Sequence, residues 1–84
     1  MVDHHVTLYA GPESAMLDQA RRFLKSRGIQ YEEKDIVQDP GARGELRHKT
    51  GSTDYPTVDI DGHVVVGFDR NKWQHLLVKR ETRP

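Results

Sequence analysis

Apolar and polar residues alternate from His5 to Ala10 (HVTLYA), with Val6, Leu8 and Ala10 set against Thr7 and Tyr9. That period of two, in β-branched and aromatic residues, predicts a first strand. Gly11-Pro12 breaks it. From Ser14 the period changes: Met16, Leu17, Ala20, Phe23 and Leu24 recur at helical spacing, opposite Asp18, Arg21, Arg22 and Lys25. Ser14 suits the N-cap and Gly28 the position just past the helix end.

Residues 29–36 (IQYEEKDI) read as a second strand. A helix separates it from the first, so a right-handed crossover would pair the two in parallel. Asp39-Pro40 has the form of an N-cap followed by proline at the first helical position. The helix it opens carries Ala42, Leu46 and Lys49 on one face, is only weakly apolar, and ends at Gly51. Tyr55–Ile60 predicts a third strand, and Asp61-Gly62 a tight hairpin returning as His63–Val66. Gly67-Phe68-Asp69 then turns the chain, with Asp69 as a cap. A last helix over 70–80 presents Trp73, Leu76, Leu77 and Arg80. The order β-α-β-α-β-β-α implies one α/β domain over residues 1–84, a four-stranded mixed sheet with helices on both faces.

Composition narrows the partners. Thirteen Lys+Arg balance thirteen Asp+Glu, so no global basic field exists for nucleic acid or an anionic membrane surface. Arg21, Arg22, Lys25 and Arg27 crowd the first helix. They interleave with acidic and apolar positions and lack an aromatic platform for bases, so a solvated face is the expectation. A mean hydropathy of −0.81, with no run near the ~18 apolar residues of a membrane span, points away from the bilayer. The start MVDHH lacks the layout of a signal peptide, and a cytoplasmic monomer is expected. The five histidines have no helical metal-pair spacing, and surface positions are expected for them. There is no cysteine. Disulfides, thiolate metal sites, iron–sulfur ligation by the chain alone and thiol chemistry as written are therefore excluded. No bound cofactor or metal is expected.

Several stretches together resemble a known family: Val6–Pro12 (VTLYAGP), Arg27–Ile36 (RGIQYEEKDI), Asp39–Gly51 (DPGARGELRHKTG), Tyr55–Gly62 (YPTVDIDG) and Val65–Asp69 (VVGFD). From about Val6 to Leu77 the chain is similar to small glutaredoxins and to glutaredoxin-like hydrogen donors of ribonucleotide reductase. The resemblance implies a thioredoxin-like fold and a thiol–disulfide oxidoreductase using glutathione as co-substrate. It departs at the redox motif, where Ser14-Ala15-Met16-Leu17 replaces Cys-x-x-Cys. By the resemblance, Ser14 stands at the nucleophile's position and Leu17 at that of the resolving cysteine. Pro56 stands at the family's cis-proline, behind Tyr55 where valine is usual. A cis bond there would expose the Tyr55 backbone to a peptide or to the cysteinyl part of glutathione. Gly67, Phe68 and Asp69 stand where the family grips the γ-glutamyl end of glutathione, with Val66 in place of a second glycine.

A helix N-terminus lowers a cysteine pKa from about 8.5 into the range ~3.5–7.5. Serine starts far too high to ionise there, and its oxygen forms no mixed disulfide. Three readings of Ser14 stand open: a replacement for cysteine or selenocysteine in a single-nucleophile enzyme; a native serine in a redox-dead module binding glutathione or a protein; and a hydroxyl serving a bound glutathione thiolate, as in serine-type glutathione transferases. The last class carries a helical second domain for which 84 residues leave no room. Local roles account for the same residues on their own terms: Ser14 and Asp69 are good helix caps, and Pro56 suits an edge strand. Tyr55 would narrow a glutathione groove, which favours a protein disulfide as substrate.

Overall fold

The computed structural model describes residues 4–81, with side chains as far as Leu77. Seven elements follow in order: β1 (Val6–Ala10), α1 (Ala15–Ser26), β2 (Glu32–Asp35), α2 (Pro40–Thr50), β3 (Thr57–Ile60), β4 (His63–Val66) and α3 (Arg70–Glu81). The sheet order is β2-β1-β3-β4, with β1 and β2 parallel and the other pairs antiparallel. This is the predicted mixed sheet.

The alternation along β1 sends its residues to two cores. Val6, Leu8 and Ala10 join Leu17, Ala20, Phe23 and Leu24 of α1, Val58 and Ile60 of β3, and Trp73 and Leu77 of α3. Tyr9 points the other way, to Ile36, Ala42 and Leu46. All five β1 residues are buried because helices cover both faces. Phe23, Phe68 and Trp73 meet edge to face, with ring centroids 4.9–6.1 Å apart, and lock α1 to α3.

The Ser14 hydroxyl accepts from the Leu17 N–H and opens α1. At the other end, Gly28 takes φ +69° while Ile29 N–H donates back to the Leu24 carbonyl. That bond commits residues 29–31 to the helix exit, so β2 starts at Glu32 and not at Ile29. Ile29 and Tyr31 still pack on the main core. Met16, assigned to the apolar face by spacing, lies off it and is exposed. The third strand starts at Thr57, two residues later than its apolar run, because Tyr55-Pro56 forms a cis peptide outside the ladder. Trp73 and Leu77 are buried as expected; the side chain of Arg80 lies outside the described residues.

Asp39 caps α2 through the Gly41 and Ala42 N–H groups, yet only Ala42 and Leu46 are buried along it. Polar contacts supply the rest of its docking. The Tyr9 hydroxyl donates to Glu45 and accepts from Lys49, while Lys49 also reaches Asp59 and Lys34 reaches Glu45. The Asp61-Gly62 turn has φ of +54° and +92°, the twisted hairpin its sequence signals. Asp61 also receives the His5 N–H and the His4 ring. His4 is therefore not a solvated histidine: its side chain is only 2% exposed, held where the chain enters β1.

Candidate functional site

Ser14 sits in extended backbone (φ −156°, ψ 164°) immediately before α1. Its Oγ lies 3.1 Å from the Leu17 nitrogen and its carbonyl accepts from Asp18 N–H. Residue 14 is exposed. An anion at this atom would meet both a hydrogen-bond donor and the positive end of the helix dipole.

The turn before it packs against the cis-proline loop. A Cβ built on Gly11 would lie 2.8 Å from the Tyr55 ring, so only glycine lets that ring rest on the turn. Tyr55 remains 38% exposed, at the rim of the site, whereas Pro56 is buried. The Pro56 carbonyl accepts from Gly67 N–H at 2.7 Å. Gly67 has φ +83°, a conformation that disfavours any side chain, and its carbonyl accepts from the Trp73 indole. Asp69 caps α3 through Lys72 N–H. Thus Gly11 meets the Tyr55 ring and Pro56 is tied to Gly67, so the Tyr55-Pro56 peptide links the turn before Ser14 to the 67–69 turn. Leu17 contributes differently: its side chain is fully buried in the main core, and only its N–H serves the site.

Glu13, just before Ser14, was no part of the sequence-derived site. Arg21 Nη1 and Nη2 donate to its two oxygens at 2.8 and 3.1 Å, and Nε and Nη2 donate to Glu33 at 3.0 and 2.6 Å. The hydrogen bonds from Arg21 hold the Glu13 carboxyl below its ordinary range. Those to Glu33 and Glu13 raise the guanidinium pKa in turn. Arg21 therefore counters the charge of the carboxylate that immediately precedes Ser14 in the chain. The spacing of Glu13 and Arg21 is not that of a neighbouring helical pair, and Glu33 comes from β2, so periodicity gives no signal for the clamp. Among the described residues, no group of three or more His, Asp or Glu is placed to hold a metal ion. Among the described residues, no helix is long and apolar enough to cross a membrane.

Known proteins share this fold. A glutaredoxin family model matches residues 18–65, from the first turn of α1 through β4. An uncharacterised glutaredoxin-like 8.6 kDa protein in the rubredoxin operon of Clostridium pasteurianum is 26% identical over 74 residues, covering 88% of this chain and 99% of the relative. The crystal structure of the thioredoxin-like protein BC3987 superposes with a TM-score of 0.80 at 38% identity, covering 84% of this chain and 97% of that one. A glutaredoxin from Archaeoglobus fulgidus shares the fold, with a TM-score of 0.78 at 20% identity over 87% of this chain and 85% of its own.

Proposed function

The chain belongs to the glutaredoxin family, and from that premise we propose that the groove at the head of α1 is built for thiol–disulfide chemistry, with Ser14 occupying the nucleophile's position. One observation carries the reading: Ser14 Oγ, the atom standing where a sulfur would, accepts the Leu17 N–H at a helix N-terminus. The same arrangement stabilises a thiolate.

With cysteine at position 14, the thiolate attacks one sulfur of a glutathione mixed disulfide. A new S–S bond forms as the old one breaks, and the other sulfur leaves as a thiolate that takes a proton from solvent. Leu17 supplies no second thiol, so glutathione resolves the adduct. Its thiolate attacks the glutathionyl sulfur, releases oxidised glutathione and restores the thiolate at position 14. Both electrons come from glutathione. Tyr55 and Pro56 align the substrate, and Gly67, Phe68 and Asp69 hold the γ-glutamyl end.

As written, the chain has no thiol and performs neither step. That absence favours the second reading, a groove that binds glutathione or a protein segment without exchange. Turnover of the mixed disulfide of glutathione and 2-mercaptoethanol, with glutathione present, separates the two. Ser14→Cys is expected to release 2-mercaptoethanol catalytically while the unsubstituted chain stays at background. A folded Ser14→Cys protein that also stays at background would leave only the binding reading.

A further inference from the structure

The basic residues of α1 and of the α3 N-terminus are not equivalent in their surroundings. Arg21 is taken up by Glu13 and Glu33, and Arg22 pairs with Asp18 at 3.0 Å. Arg27 and Arg70 instead converge on one ring, their guanidinium carbons 4.6 and 5.7 Å from the Phe23 centroid. Among the described residues neither pairs with a carboxylate. A groove of about 470 Å³ lies beside them, lined by Gln19, Arg22, Phe23, Ser26, Phe68 and Arg70. No carboxylate lines it. Asp18, the nearest acidic residue on α1, is engaged by Arg22, and Asp69 turns its carboxylate to the Lys72 N–H.

The position matters as much as the charge. Phe68 and Arg70 flank Asp69, so one wall of the groove is the turn that borders the candidate site. Along α1 the groove begins beyond Ser14. At 1.5 Å per helical residue, Arg22 lies about 12 Å from Ser14, a span that roughly four residues of extended chain would cover. Guanidinium groups on an aromatic floor suit carboxylates, which they bind through paired N–H donors. We infer that this groove receives an acidic segment of a protein partner whose sulfur is presented at position 14. The partner then carries Asp or Glu about four residues from its cysteine. The inference rests on the redox-groove reading for the partner's sulfur, and it makes a protein the preferred occupant over free glutathione.

Fluorescence anisotropy of labelled peptides against the unsubstituted chain tests this directly. Three peptides share a central serine in place of cysteine and carry three Glu, Gln or Lys residues starting four positions away on each side. The Glu peptide is expected to bind at least tenfold more tightly than the Gln peptide, with affinity falling as salt rises. The Lys peptide is expected not to bind. Arg27→Gln with Arg70→Gln should weaken the Glu peptide at least tenfold, while Lys25→Gln with Arg43→Gln, an equal change in net charge outside the groove, leaves it unchanged. Circular dichroism establishes that the variants are folded. Arg70→Glu should reverse the preference toward the Lys peptide, a gain that unfolding cannot produce. Equal affinities for the Glu and Gln peptides, or equal losses in the Arg27/Arg70 and Lys25/Arg43 variants, would overturn the inference. Failure here is distinct from failure of the redox reading. Turnover by Ser14→Cys without peptide selectivity sinks only the docking surface, and acidic-peptide binding without turnover sinks only the redox reading.

Discussion

Removing the Ser14 hydroxyl isolates its capping role from any chemistry at the same atom. Ser14→Ala loses the acceptor for the Leu17 N–H and is expected to cost about 1 kcal/mol, read from the urea midpoint; an unchanged midpoint would contradict the cap. Gly11 tests the other side of the groove. Gly11→Ala brings a methyl group against the Tyr55 ring, which must swing away at a cost of about 1–3 kcal/mol, the usual range for overpacking. Tyr55→Val should remove most of that penalty, so the two changes together cost less than their sum. Additive costs would mean that the ring does not rest on the turn. The capping role of Ser14 is legible locally, because a serine before an apolar helical run is a recognisable signal. Gly11 is legible only as a strand breaker. Its requirement comes from a tyrosine distant in the chain, and no local pattern encodes that approach.

The second helix shows what periodicity misses at the scale of an element. Its apolar face amounts to Ala42 and Leu46, and Lys49, read as part of that face, instead joins Tyr9 and Asp59. Burial, followed by the hydrogen bond to Glu45, raises the Tyr9 pKa above the ordinary 10.0. Burial pulls the Lys49 pKa down, but the bonds to Asp59 and Tyr9 outweigh it and leave it pushed up to about 12 from 10.5. Both groups hold their protons more tightly folded than unfolded. The stability they contribute is therefore fully present below about pH 10 and is lost as pH rises toward 12. Tyr9→Phe should cost about 1.5–3 kcal/mol at pH 8, as expected for hydrogen bonds to charged partners. It should also flatten the decline in urea midpoint between pH 9 and pH 12 (roughly the interval these linked titrations span). An equally steep decline in Tyr9→Phe would place the alkaline sensitivity elsewhere. On the acid side, the Tyr9 and Lys34 hydrogen bonds hold the Glu45 carboxyl below 4.5. Its contribution is present above that value and fades as pH falls through the lowered one; the side chain is 42% exposed, so the effect is small.

Across the whole molecule, the sheet order and the two cores follow from patterns visible in the chain, chiefly the alternation in β1 and the Asp61-Gly62 hairpin. What the patterns leave out is convergence. The fold brings the 11–14 turn under Tyr55, ties Pro56 to Gly67, and sets Arg27 and Arg70 over one phenylalanine. Each of these depends on segments whose separation along the chain carries no periodic signal. The resemblance to glutaredoxins points to candidate site positions but carries no signal for the Arg21 clamp on Glu13 and Glu33. On the proposed reading, this corner activates a thiol placed at position 14. The thiol pKa of Ser14→Cys, followed by thiolate absorbance, tests it most directly. A value below ~7.5 is expected for a sulfur at this N-terminus. A value near 8.5, that of an unperturbed thiol, would contradict the account and leave the groove as a binding surface alone.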